Sequence, residues 1–329
     1  MKCEHKYWSR LEQQRVIDEY PPFGLVDLDA TTLPDGLRYP AWVKPIKSVS
    51  SALAYRVDDD RQLGEALARI REAIGRMGEP FDFVLSQLEI PSEVRGVGGR
   101  ACLAEEAATG AQVTVEGYSY QGDVHVYGTV DSILCPDSPS FLRYQYPSAL
   151  PAAVTQRMAK LSARVIRQIG LDGITFNIEY FWNADHDTIS LLEVNPRHSQ
   201  SHAELFEQVD GVANHDHMLQ LALGREPRPR RGEGPYDVAA KWFVRRTADG
   251  VARRVPTAAE VERVERSIPG CTVDVTVAVG DRLSELYDQD SYSYALGVVY
   301  LGADDEDELI RKYEQALEGL PFEFEEPTG

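Results

Sequence analysis

Residues 174–182 read ITFNIEYFW, and after the turn-rich Asn183-Ala-Asp-His-Asp187 the chain continues as TISLLEVNPR through Arg197. Successive strand side chains point to opposite faces. Asn177 and Glu179 therefore share a face of the first strand, and Glu193 and Asn195 share a face of the second. A hairpin centred near His186 sets Glu179 opposite Glu193. Two carboxylates directly across a strand pair repel, and Phe176, Ile178, Leu191 and Leu192 mark this hairpin as core, so something positive is required between them. The oxygens of Glu179, Glu193 and Asn195, with no thiolate or imidazole among them, suit Mg²⁺ or Mn²⁺ better than zinc. The competing reading leaves both glutamates exposed at the hairpin end, paired with Arg197 or water. Arg197 shares the face of Asn195 and supplies a fixed cation suited to a phosphate or carboxylate.

Working outward, the hairpin follows a helix begun near Pro151, with Val154, Met158, Leu161, Val165 and Ile169 on one face and a stop at Gly170. Gln112–Tyr118 and Val124–Ile133 alternate across Gln121-Gly122-Asp123 and predict a β-hairpin. Upstream, YPAWVK (39–44) and ALAYRV (52–57) read as strands. A helix carrying Leu63, Ala66, Leu67, Ile70, Ala73, Ile74 and Met77 is expected to stop at Gly78. RACLAEEA (100–107) reads as a further strand. A short helix lies around Tyr7–Tyr20. Downstream, one helix is expected from about His202 to Leu223, then the linker REPRPRRGEGP (225–235), then strands at Ala239–Arg245, Thr272–Val277 and Tyr294–Tyr300 and a last helix from Glu306 to Leu317. The expected organisation is a lead-in helix and connector (1–38), a small α+β lobe (39–110), a larger lobe with the metal site (111–225) and a C-terminal β-rich domain (235–329).

Acidic residues number 53 against 34 basic ones, a net charge of −19, so the surface repels nucleic-acid backbones and anionic lipids. No nucleic acid and no membrane is expected as a partner. Four scattered cysteines read as free thiols in a reducing compartment, with cytoplasm the default. No apolar run reaches the length of a membrane span and the N-terminus has no signal-peptide core.

FNIEY followed by LLEVNPR resembles the paired metal-ligand strands of the ATP-grasp superfamily, in particular its biotin carboxylase-like and L-amino acid ligase-like members, and the order of the other segments agrees. YPAWVKP is similar to the family's strand bearing a phosphate-binding lysine, LAEEAATGAQVTVEGY to its adenine-gripping hinge, and EHKYWSR to a segment with a second phosphate-contacting lysine. DVAAKWFVRR through ALGVVYLGADDEDELIRKYEQAL resembles the C-terminal domain of those members. The resemblance implies an α+β ATP-grasp fold, two α+β lobes gripping ATP, plus a C-terminal β-rich domain. A Rossmann-like front domain usual in the family is expected to be missing or reduced.

Carried over residue by residue, it implies that Lys6 and Lys44 contact ATP phosphates. Ser48, Ser50 and Ser51 replace a glycine-rich phosphate loop. Glu105, Glu106 and the backbone at Ala107 meet adenine, and Gln112 stands near the ribose. Glu179, Glu193 and Asn195 hold Mg²⁺ or Mn²⁺, and Arg197 steadies the transferred phosphoryl group. Arg143 and Tyr144 are expected to reach substrate or to make ordinary surface pairs; the histidines at 198, 202, 215 and 217 are expected to pack around the phosphate site or lie at the surface, a zinc site among them being conceivable. The implied function is an ATP-dependent ligase joining a small-molecule carboxylate to an amine, an amino acid or a thiol. A homodimer is compatible with it. The alternative is a nucleotide-binding partner or regulatory protein without ligase turnover.

Overall fold

A computed structural model describes residues 1–48, 53–287, 289 and 292–325. Ser50 and Ser51 lie outside the described residues. The chain divides into two compact units. One comprises residues 1–110, 160–171 and 178–195; the other comprises 111–159, 172–177 and 196–329.

The first unit opens with α1 (Lys6–Gln14) and β1 (Phe23–Val26), followed by β2 (Ala41–Pro45), β3 (Tyr55–Val57), α2 (Asp60–Ala73), α3 (Gly75–Leu85) and β4 (Cys102–Glu106). Its strands form an antiparallel sheet in the order β1-β4-β2-β3. Alternation in β2 buries Ala41 and Val43 among Leu63, Leu67, Ile70 and Ile74 of the α2 region and turns Trp42 and Lys44 to the other face. Asp59 caps α2 by accepting from the Gln62 N–H at 2.8 Å. The expected stop at Gly78 is overturned: α2 ends at Ala73 and α3 runs through Gly78 and Pro80 to Leu85. Gly78 serves a close approach instead, since a Cβ there would lie 2.6 Å from the Gly99 carbonyl oxygen.

Next come β5 (Ala111–Tyr120), β6 (Asp123–Leu134), β7 (Phe141–Tyr146), α4 (Ala152–Ile169), β8 (Ile174–Asn183), β9 (Thr188–Asn195), α5 (Ala203–Asp210) and α6 (His215–Ala222). The remainder is β10 (Val238–Arg246), β11 (Val251–Arg254), α7 (Ala258–Ser267), β12 (Thr272–Val275), β13 (Tyr294–Ala303), α8 (Glu306–Glu318) and β14 (Glu323–Glu325). Residues of α4 and β8 fall in both units, and β9 belongs to the first. The second unit is built on the antiparallel run β12-β13-β10-β7-β6-β5. The β5–β6 turn places Gln121 and Gly122 at positive φ, as a two-residue hairpin requires. One face of β10 and β13 carries Trp242, Val244, Val299 and Leu301 into a core with Val264, Leu309 and Ala316 of the flanking helices.

The helix expected across 202–223 is broken. Gly211 adopts φ 75° and ends α5 before α6 begins. The strands β1, β7, β11 and β14 and the helix α7 went unread in the sequence; Thr257 and Glu260 close α7 with a reciprocal capping box. The four cysteines are free thiols. Among the described residues no helix is long and apolar enough to cross a membrane.

Candidate active site

In the first unit α1 is fixed by His5, whose Nδ1 accepts from the Trp8 N–H at 3.1 Å while Nε2 meets the Val97 carbonyl at 3.0 Å. Burial lowers the His5 pKa, consistent with a neutral ring that accepts on one side and donates on the other. The Lys6 N–H donates to the Ile46 carbonyl just beyond β2. Positions 6, 10 and 13 then fall on one helical face, and that face meets the carboxylates of β4 and β9.

Lys6 Nζ lies 2.5 Å from Glu193 Oε1, and Lys44 Nζ lies 2.5 Å from Glu105 Oε2. The Arg10 guanidinium is 2% exposed and fully committed. Its Nε donates to Glu105 Oε1 at 2.7 Å, and its two terminal nitrogens donate to Gln13 Oε1 and to the Leu191 and Leu192 carbonyls. A cleft is lined by Cys3, Lys6, Arg10, Lys44, Glu105 and Glu193, among others. Three cations against two carboxylates leave it one positive charge in a chain of net −19.

Burial opposes ionisation of Glu105, but the Arg10 and Lys44 charges and their hydrogen bonds overcome it and hold the carboxyl down at about 2. Glu193 is likewise held below the ordinary range, burial opposing and Lys6 and Lys44 prevailing. Lys44 is pulled down by burial, with Lys6 and Arg10 adding to the effect and Glu105 opposing it. These five charges, on Lys6, Arg10, Lys44, Glu105 and Glu193, form one cluster.

Four of the residues singled out in the sequence thus come together: Lys6, Lys44, Glu105 and Glu193. Glu105 meets Arg10 and Lys44 with its side chain, while Glu106, on the opposite face of β4, pairs with Arg38 at 3.2 Å. The Ala107 N–H donates to the Pro40 carbonyl, and Ser48 is half-buried. On the hairpin, Asn195 Nδ2 lies 3.5 Å from Glu179 Oε1. The positive charge the sequence demanded beside Glu193 is Lys6.

Glu179, Glu193 and Asn195 offer two carboxylates and an amide, hard oxygen donors that fit Mg²⁺ or Mn²⁺ in kind, with Glu193 shared with Lys6. Among the described residues no three His, Cys, Asp or Glu side chains converge as a metal cluster.

In the second unit Gln112 opens β5, opposite Ser132. Arg197 is exposed, and its carbonyl accepts from Asn177 Nδ2 at 2.9 Å. The following segment is held by Glu116, a fully buried carboxylate that accepts from the Ser199 N–H at 3.0 Å, from Tyr127 Oη at 2.8 Å, and meets His202 Nδ1 at 2.9 Å. His198 Nε2 lies 2.8 Å from His215 Nδ1, and His217 is packed 4.4 Å from the Tyr127 ring. Arg143 corrects an expectation. It is buried, donates to Glu306 and Gln145 and lies over the Trp242 ring at 4.5 Å, so it is a core residue and not a substrate contact. Arg10 and Glu116 were missed. The Lys6-Arg10-Gln13 spacing on a helical face was the available signal for the first; nothing local marks the second.

Residues 37–203, just over half of the chain, match the family model of the ATP-grasp domain. The chain belongs to the ATP-grasp family. No curated protein matches it by sequence. Among solved structures, this ATP-grasp protein is similar to an L-amino acid ligase from Bacillus licheniformis, with TM-score 0.73 and 19% identity over 98% of this chain and 74% of that one. It is also similar to a biotin carboxylase from Campylobacter jejuni in complex with an ATP analogue (TM-score 0.67, 15% identity, 99% and 68% covered). An N5-carboxyaminoimidazole synthase from Aspergillus clavatus, in complex with ADP and its ribonucleotide, matches with TM-score 0.68 at 15% identity over 96% and 73%. At these identities the likeness establishes the fold, which is the α+β ATP-grasp fold.

Proposed function

We propose that the protein is an ATP-dependent ligase that activates a substrate carboxylate and joins it to an amine. The observation that carries this reading is the cleft where Lys6 and Lys44, on α1 and β2, are held by Glu193 and Glu105 with Arg10 locked behind them. Phosphoryl transfer asks a protein chiefly for positioning and charge neutralisation. Lys6 and Lys44 are flexible point charges that can exchange a carboxylate partner for a phosphate oxygen, whereas Arg10, with all three of its nitrogens donating, keeps Glu105 ionised and the strand ends in place. In the reaction an oxygen of the substrate carboxylate attacks the γ-phosphorus of ATP as the bond to the bridging oxygen breaks and ADP leaves. The amine then attacks the acyl carbon, the carbon–oxygen bond breaks with release of phosphate, and the nitrogen gives up a proton.

By family likeness Lys6 and Lys44 would neutralise the phosphates, the Glu106–Ala107 strand end would meet adenine, and Arg197 would steady the phosphoryl group. Glu179, Glu193 and Asn195 would hold Mg²⁺, which supplies charge neutralisation when bound. The likeness to an L-amino acid ligase and to an N5-carboxyaminoimidazole synthase supports the carboxylate–amine class. The test is phosphate release from Mg-ATP across pooled carboxylic and amino acids. Release that rises with a particular acid or amine supports the ligase; nucleotide binding without turnover under any acceptor refutes it.

A further inference from the structure

The sheet of the second unit has two unlike faces around β10. On one, Arg143, Trp242 and Val299 lie in register across β7, β10 and β13, with Trp242 and Val299 in the core and Trp242 stacked on Tyr313 at 4.0 Å. On the other, Tyr144, Lys241 and Tyr300 are register partners across the same strands, with Phe243 two residues on, and all four are only half-buried. Lys241 Nζ donates to Ser201 Oγ at 3.2 Å and lies 5.3 Å from the Phe243 ring and 5.5 Å from the Tyr300 ring. Among the described residues it forms no ion pair. Burial pulls its pKa down, and the charges of Glu204 on α5 and Asp274 on β12 oppose that and favour the ammonium.

An ammonium held by a hydroxyl and aromatic faces, without a carboxylate salt bridge, keeps its charge for a ligand. Its surroundings are rigid: Tyr144 packs on Phe243 at 5.4 Å and on His202 at 5.0 Å. His202 and Ser199 are pinned to Glu116. This anchored segment follows Asn195-Pro196-Arg197 directly in the chain.

We propose that Lys241, framed by Tyr144, Phe243 and Tyr300, recognises the carboxylate of an amino-acid acceptor that carries an apolar or aromatic side chain. The assignment rests on the ligase reading and deepens it. A lysine on the reacting carboxylate would draw charge from the attacking oxygen; the carboxylate it holds is therefore one that does not react, as on an amino acid attacking through its amine. The rings supply the apolar wall for the side chain.

The probes are L-phenylalanine and L-phenylalaninamide, which lacks the carboxylate, titrated calorimetrically at a pH above the amide's α-amino pKa into the full chain and into Lys241→Met and Lys241→Arg, with circular dichroism confirming that each variant is folded. L-phenylalanine should bind the wild type about tenfold or more tightly than the amide, the size expected for one charged hydrogen-bonded contact. Lys241→Met should lose that preference while still binding the amide as the wild type does, and Lys241→Arg should keep it. Equal binding of acid and amide, undiminished binding of the acid by Lys241→Met, or no binding of L-phenylalanine to the wild type overturns the proposal. Phosphate release measured on the same proteins separates the two claims. If L-phenylalanine binds through Lys241 but no acid or amine stimulates release, the ligase reading fails alone. If stimulated release persists in Lys241→Met with unchanged KM for the amino acid, the Lys241 assignment fails alone.

Discussion

Replacing Glu105 with Gln removes the only carboxylate that both Arg10 and Lys44 touch among the described residues, while keeping the side chain's shape. Breaking a buried pair by deleting one partner costs roughly 3–5 kcal/mol, because an uncompensated charge stays behind. Here the lower end is expected, since Lys44, already pulled down by burial, can shed its proton once Glu105 is neutral. The effect has a pH signature. Glu105 is held at about 2 against an ordinary 4.5, so its depressed carboxyl contributes stability that is complete above 4.5 and is lost as pH falls towards 2. A shift of that size corresponds to roughly 3 kcal/mol, of which more than about 1 kcal/mol is gone by pH 3.5. The assay is urea denaturation of wild type and Glu105→Gln at pH 7, 5 and 3.5, read as the difference between the two proteins so that titrating groups outside this cluster cancel. The gap should be roughly 3 kcal/mol at pH 7, almost unchanged at pH 5 and smaller by more than 1 kcal/mol at pH 3.5. A gap below 1 kcal/mol at pH 7, or one that does not narrow with acid, would refute the picture of Glu105 as the charge centre of this cluster.

Mg-ATP should raise the melting temperature of the wild type, the stabilisation reaching roughly 2.7 kcal/mol at a hundredfold excess over Kd; Lys44→Ala should blunt that response, and equal shifts in the two proteins would remove Lys44 from the nucleotide site. Glu179→Gln is expected to fold as well as the wild type yet lose Mg-ATP-dependent phosphate release by orders of magnitude, a metal's charge being worth several kcal/mol in such a step; near-normal release would place the metal elsewhere. Thr257→Ala breaks the capping box of α7 and should cost about 1 kcal/mol in urea denaturation with phosphate release unaltered. Gly110→Ala should be far more damaging, since a Cβ there would sit 2.1 Å from the Trp182 carbonyl oxygen at a φ of 117°; a loss under 1 kcal/mol would show that this strand end yields easily.

The sequence made the periodic elements legible and left the context-dependent ones dark. The β5–β6 and β8–β9 hairpins, α2, α4 and α8 follow from alternation and helical spacing, with the stop of α4 marked by Gly170. Gly78 was misread because a glycine that ends a helix and a glycine that admits a neighbouring backbone look alike in sequence, and only the Gly99 carbonyl distinguishes them. Strand β7 escaped because its alternation, Leu142, Tyr144 and Tyr146 against Arg143 and Gln145, sets polar residues on the face turned towards Trp242. There Arg143 is satisfied by Glu306 from far along the chain. In the candidate site, Lys6, Lys44, Glu105 and Glu193 could be named in advance, whereas the role of Glu105 could not. A carboxylate at the end of a strand reads as a hinge contact until Arg10 is seen to reach it from α1.

That contact explains how the chain's own side chains hold the cleft together. Lys6, Arg10, Lys44, Glu105 and Glu193 come from α1, β2, β4 and β9, and like charges alone would drive both the cations and the carboxylates apart. Alternating the signs, Lys6 to Glu193 and Lys44 to Glu105 with Arg10 bound to the backbone at Leu191 and Leu192, converts repulsion into a fixed lattice. Because Arg10 spends its donors on Glu105, Gln13 and two carbonyls, it holds β9 and β4 to α1 independently of what the lysines do. Lys6 and Lys44, with one carboxylate each, are then the members free to change partners. On the proposed reading, a polyphosphate entering this cleft would meet two lysines already largely desolvated, and the helix and strand that carry them need not move for the lysines to take it as a partner.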